Sequence, residues 1–111
     1  MQSTLPHPQI TVIQAQRHLS AKNAVEFREQ LMANLASPQQ SIVLVDMEQV
    51  KSIDCEGLLA LVVALTFAKK SRRRFSLCSI NPSIRLVFEL TQLDQIFEIF
   101  DDRNALQAEI C

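Results

Sequence analysis

Asp54-Cys55-Glu56-Gly57 brings two carboxylates, a thiol and the chain's one glycine into four consecutive residues. Asp54 with Asp46, expected at the same sheet edge, could act as paired acids in proton transfer, and a thiol in the first turn of a helix can be activated by the helix dipole. That same first turn points free amide hydrogens outward and tolerates a phosphoryl group. Glycine allows a sharp turn or a close approach by another molecule. The corner is therefore where a working site is expected.

Each of these chemistries has a plain structural counterpart. A first-turn Glu56 is stabilised by about 0.3–1 kcal/mol through the helix dipole, with no further role required. Cys55 reads as a buried or half-buried inert thiol, because Glu56 beside it opposes thiolate formation. Asp46, closing the run Ile42-Val43-Leu44-Val45, is expected at the same sheet edge as Asp54. With no base or cation nearby in sequence, both read as loop and cap carboxylates.

Other catalytic constellations are missing. The two histidines, His7 and His18, fall in the first eighteen residues, away from any carboxylate at metal-ligand spacing. One glycine excludes a glycine-rich phosphate loop. The reading requires no cofactor, no metal and no catalytic residue. Lys69-Lys70-Ser71-Arg72-Arg73-Arg74 places five cations in six residues, which suit the C-terminal end of a helix or an acidic partner. A helix of about 15 residues is about 22 Å long, so this cluster and Gly57 belong to opposite ends of the domain.

The elements that would position the corner follow from periodicity. Ile10 to Ile13 is a β-branched strand, and Ala15 to Leu19 allows a brief second one. Ala24, Phe27, Leu31 and Leu35 recur at helical spacing in Ala21 to Ala36, with Ser20 as N-cap and Ser37-Pro38 as stop. Ile42 to Val45 is a strand covered on both faces. A second helix starts near Gly57 and runs to about Ser71. Phe75 to Ile80 is a strand whose Cys78 is core, closed by Asn81-Pro82. Ser83 to Leu90 is a third helix, Ile96 to Phe100 an edge strand, and Asp101 to Ile110 a last helix capped by Asp101 or Asp102.

Alternating strands and helices predict an α/β fold: a mostly parallel four- to five-stranded sheet with about four helices. The 111 residues, 48% of them hydrophobic, are expected to form a single domain, 1–111, with 1–8 as a loose entry segment. A net charge of −1 and six phenylalanines without tyrosine or tryptophan give no case for nucleic acid. Three dispersed cysteines, no signal-like start and no long apolar run predict a soluble, cytoplasmic protein that inserts into no membrane.

In this order, a strand ending in Asp46, Ile53-Asp54-Cys55-Glu56-Gly57-Leu58 opening a helix, and Leu90-Thr91-Gln92-Leu93-Asp94-Gln95-Ile96-Phe97 further on resemble the STAS domain of anti-sigma factor antagonists. The resemblance runs from about Ile10 to Ile110. It implies action by binding rather than turnover. Members of the family capture a kinase-like anti-sigma factor, and phosphorylation of a serine or threonine at the corner breaks that contact. The family's corner commonly reads Asp-Ser-Ser-Gly. Asp54 and Gly57 match it, Cys55 takes the place of the first serine, and Glu56 that of the phosphoacceptor. Gln92 replaces the usual glycine of the Leu-Thr-x-Leu segment. Arg17 stands where a glycine is common, and Ser20 where an acid is. The resemblance thus implies partner-binding or regulatory roles for Ser20, Asp54, Cys55, Glu56, Gly57 and Leu58, the last as an apolar anchor. Two alternatives accompany it: a STAS subunit of a membrane transport ATPase, and a thiol redox sensor using Cys55.

Overall fold

The computed structural model describes residues 10–37 and 42–110. The proposed entry segment, His7, Pro38 and Cys111 lie outside them. Six strands and four helices follow in order: β1 (Ile10–Gln14), β2 (His18–Leu19), α1 (Ala24–Ala36), β3 (Ile42–Asp46), β4 (Ser52–Ile53), α2 (Cys55–Lys70), β5 (Arg74–Cys78), α3 (Pro82–Leu90), β6 (Glu98–Phe100) and α4 (Arg103–Ile110), with one 3-10 turn at Leu93–Gln95.

β1, β3, β5 and β6 form a sheet in the order β1-β3-β5-β6, every pair parallel. Parallel sheets need cover on both faces, and β3 shows why its sequence carries no alternation. Val43 and Val45 join the main core beneath α1 and α2, whereas Ile42 and Leu44 join a smaller cluster with Cys78 and Leu106 beneath α4. Each such fully buried aliphatic side chain is worth about 1.5–3 kcal/mol. α3 closes the main core with Ile84 and Phe88, Phe88 meeting Phe97 edge-on at a centroid distance of 5.7 Å.

α4 is short and buries only Leu106, so polar groups complete its face of the sheet. Arg74 on β5 pairs with Glu98 on β6 and with Glu109 on α4, and Ser76 donates to Glu98. The guanidinium beside it holds the Glu98 carboxyl below the usual carboxylate range, and the two carboxylates raise the Arg74 pKa in turn. At the other end of α4, Arg103 pairs with Asp46, its Nη2 lying 2.8 Å and its Nε 2.9 Å from Oδ2. Asp46 Oδ1 also accepts from Glu48 N at 2.9 Å. Asp46 is buried and serves as this anchor.

Several elements differ from the sequence expectation. The second strand is confined to His18–Leu19, and it pairs in parallel with β4, a two-residue strand the sequence did not announce. α1 begins at Ala24, not Ala21. Ser20 is not its cap: the amides of Asn23 and Ala24 donate to the Ser20 carbonyl in a preceding turn, and the Ser20 amide donates to Asn23 Oδ1 at 3.0 Å. The edge strand shrinks to Glu98–Phe100 because Ile96 and Phe97 close the 3-10 turn instead, both amides donating to Leu93 O. The last helix starts at Arg103, with Asp102 Oδ1 accepting from Ala105 N at 2.9 Å.

Scarcity of glycine leaves its mark. Arg72, Ser79 and Gln92 adopt φ of 57°, 60° and 62°, a left-handed conformation that costs non-glycine residues. At the end of α2 this completes a Schellman motif, with Arg72 N donating to Lys69 O at 3.3 Å and Arg73 N to Ala68 O at 2.8 Å.

Candidate functional site

The corner forms where β4 gives way to α2. Asp54 is the N-cap of α2, in extended backbone, and its Oδ1 accepts from Gly57 N at 3.0 Å. The second oxygen does different work: Oδ2 accepts from Ala21 N at 3.2 Å. One carboxylate therefore joins the start of a helix to the 20–23 turn, thirty-three residues earlier in the chain. The Asp54 amide donates to Leu19 O at 3.0 Å, fixing the same two segments through the backbone.

Gly57 is helical, with no positive φ, so the corner does not turn on it. Its requirement is space. A Cβ built there would lie 2.6 Å from Leu19 O, 2.8 Å from Leu19 Cβ and 2.9 Å from Ile53 Cγ1. The close approach that the glycine permits is made by the chain's own β2 and β4, and the molecule approached from outside meets the residues on either side.

Those residues are open. Asp54, Cys55 and Glu56 are exposed and Ser20 is half-buried, while Gly57 is buried. Cys55 is therefore not the sheltered thiol its sequence surroundings indicated; it is exposed at the first helical position. Leu58 is half-buried and packs against the main core, whereas Leu59 is 52% exposed. The apolar surface next to Glu56 thus belongs to Leu59. The sequence concealed this within a continuous apolar run, where only the helical phase separates the two leucines. Cys78, the other cysteine among the described residues, is buried, and burial pushes its thiol pKa up.

Glu56 occupies the second position of α2. The amides of Cys55 and Glu56 have no acceptor within the helix, so this turn offers donors and a carboxylate side by side. Behind it, His18 Nδ1 and Ser52 Oγ lie 2.7 Å apart, which engages the Ser52 hydroxyl. Asn23 Nδ2 donates to His18 O at 2.7 Å and to Gln16 Oε1 at 2.7 Å, bracing the facing turn. Histidine 18 and Asn23 are supports that no spacing in the sequence marked. Among the described residues no group of three or more His, Cys, Asp or Glu is placed to hold a metal ion, and no helix is long and apolar enough to cross a membrane.

The basic run is divided by its surroundings. Arg74 is committed to Glu98 and Glu109, while Lys69, Lys70 and Arg72 remain exposed at the far end of α2 from Glu56.

Comparison with known proteins agrees with this architecture. The structure is similar to TM1081 of Thermotoga maritima, at 25% identity and a TM-score of 0.83 over 91% of this chain and 86% of that one. It is similar to SpoIIAA of Bacillus, an anti-sigma factor antagonist solved in unphosphorylated and phosphorylated forms; for the former, identity is 13% and the TM-score 0.69 over 96% of this chain and 92% of that one. A sulfate transporter family protein from Wolinella succinogenes has the same fold, at 13% identity and a TM-score of 0.79 over 91% of this chain and 84% of that one. The model of the STAS domain matches residues 3–106, and this chain belongs to the STAS domain family.

Proposed function

We propose that the chain is a regulatory binding module that docks a kinase-like anti-sigma factor through the Asp54–Leu58 corner, presenting the exposed Asp54, Cys55 and Glu56 with Leu59 in place of Leu58 as the apolar contact, together with the Ser20 turn. The observation that carries this reading is the divided Asp54 carboxylate, which holds Gly57 N with one oxygen and Ala21 N with the other. Two segments distant in sequence become one exposed ledge. A preorganised ledge spares a partner the cost of ordering loops on binding.

Glu56 replaces the phosphoacceptor of the family's corner, and a carboxylate cannot be phosphorylated by a serine kinase. It brings about one negative charge and two acceptor oxygens, against about 1.5–2 charges and three oxygens for phosphoserine. A corner locked permanently in an imitation of the phosphorylated state would disable the binder. The reading adopted is that the partner has adapted to Glu56 and the phosphorylation switch has been discarded. Calorimetry of the purified protein with the anti-sigma-factor-like kinases of its own genome tests the proposal, with association expected for at least one. Glu56→Ser should become a kinase substrate only with a kinase that docks. Absence of binding throughout, or phosphorylation of wild type at Ser52, refutes the assignment of the corner.

The match to a transporter-family domain favours a second reading, a STAS subunit riding on a transport ATPase. Its contact would use the exposed Lys69, Lys70 and Arg72. Charge reversal there would abolish pull-down of an ATP-binding subunit under this reading and leave kinase docking at the corner intact under the first.

A further inference from the structure

α2 carries a second pattern that corner docking does not use. Glu56, Leu59, Val63, Phe67 and Lys70 follow one another at spacings of three, four, four and three residues, one stripe of the helix surface that is symmetric about Val63. They lie opposite the face that buries Gly57, Ala60, Leu61, Ala64, Leu65 and Ala68. A groove of about 280 Å³ runs beside this stripe, lined by Met32 of α1 and by Val62, Val63, Thr66, Phe67 and Lys70 of α2. Thr66 Oγ1 donates to Val62 O at 3.0 Å. Its hydroxyl is satisfied within the helix, and the groove requires no polar partner there.

Charge identifies the occupant. Glu56 stands seven residues before Val63 and Lys70 seven residues after it, with Lys69 alongside. Two copies of α2 laid antiparallel about a two-fold axis at Val63 bring each Glu56 to Lys70 of the second copy. Leu59 then faces Phe67, and the two Val63 residues meet at the axis. Parallel pairing would instead set Glu56 against Glu56 and Lys70 against Lys70. The pattern is self-complementary in the way a two-fold interface requires. We propose that α2 is a self-docking surface through which two copies of this chain pair antiparallel, covering the corner's Glu56 and Leu59. The pairing and capture of another protein at the corner are then mutually exclusive.

One helix-pair contact buries less than the ~1,200 Å² of a standard interface, so the dimer is weak and concentration-dependent. Sedimentation velocity of the protein alone, from about 10 µM to about 1 mM at low salt, tests it without reference to any kinase. The expected result is a rising dimer fraction that falls with added salt. Glu56→Lys alone, or Lys69→Glu with Lys70→Glu, should weaken association at least ~tenfold, since symmetry reverses each pair twice. Combining all three substitutions should restore it. These are exposed positions, and far-UV circular dichroism verifies folding of each variant. A monomer across the whole range overturns the proposal, as does a dimer indifferent to single charge reversals or a triple variant that stays monomeric.

Discussion

Gly57→Ala separates two opposed effects of known size. In an ordinary helix interior, alanine is favoured over glycine by about 1 kcal/mol. Here the new methyl would sit 2.6 Å from Leu19 O, 2.8 Å from Leu19 Cβ and 2.9 Å from Ile53 Cγ1. Optimal carbon contacts begin near ~3.5 Å, so β2 and β4 would have to retreat by roughly 0.6–0.9 Å. None of the three atoms is the free end of a flexible side chain. Overpacking of this kind costs about 1–3 kcal/mol; taking the upper part of that range and subtracting the propensity gain leaves a net loss of about 2 kcal/mol. For a domain of this size that lowers Tm by roughly 8 °C. The chain has no tryptophan or tyrosine, so urea and thermal unfolding should be followed by far-UV circular dichroism. Ala33→Gly, at an exposed position of α1, provides the control, losing about 1 kcal/mol from propensity alone. A Gly57→Ala protein as stable as wild type, or more stable, would refute the argument that this glycine exists to let β2 approach α2.

The other residues on which the fold and corner depend give four further expectations. Asp54→Ala should cost about 1 kcal/mol from the lost cap and release the Ala21 turn, whereas Asp54→Asn retains an acceptor and loses less; paired unfolding curves distinguish them. Arg103→Ala leaves the buried Asp46 carboxylate without its cation and should cost about 2–3 kcal/mol in urea unfolding, less than for a fully buried pair because Arg103 is half-exposed. Gln92→Gly relieves a φ of 62° and should stabilise by about 0.5–1 kcal/mol after allowing for the looser unfolded chain, read as a higher urea midpoint. Glu98 has its pKa lowered in the folded state by Arg74, so its contribution is fully present above the unfolded carboxylate pKa of about 4.3 and is lost as pH falls through the lower folded value. Glu98→Gln should accordingly flatten the acid limb of the stability profile and leave its slope near neutrality unchanged.

The layered α/β arrangement was legible because its signals are local. A run such as Ile42 to Val45 has one physical solution, a strand buried on both faces, and the apolar spacing in α1 marks Phe27, Leu31 and Leu35 for burial as found. Asp54, Glu56 and Gly57 were legible as a helix start for the same reason. What escaped depends on partners far along the chain. β2 and β4 are two-residue strands, too short for any alternation to register. Ser20 and Asn23 both belong to the residue class that caps helices, yet neither side chain caps α1: Asn23 stands at the N-cap position with its side chain turned back onto Ser20 N, His18 O and Gln16 Oε1. The ion pair of Asp46 with Arg103 spans fifty-seven residues, so nothing in the local sequence of either residue announces it.

The structural duties of the corner fall unequally on its four residues. Asp54 and Gly57 each have a role that nothing else fills: Asp54 ties the cap to the Ala21 turn, and Gly57 admits Leu19. Cys55 and Glu56 lie between them with exposed side chains, and a carboxylate in a helix's first turn is stabilised by the dipole rather than penalised. Glutamate at this position therefore costs the fold nothing. Asp54 and Gly57 are fixed by contacts within the fold, whereas the side chain of Glu56 is exposed. Exchanging Glu56 for serine or glutamine should accordingly cost no more than the dipole contribution of about 0.3–1 kcal/mol while changing association at the corner. A large stability loss in Glu56→Gln would show instead that the carboxylate is a structural element.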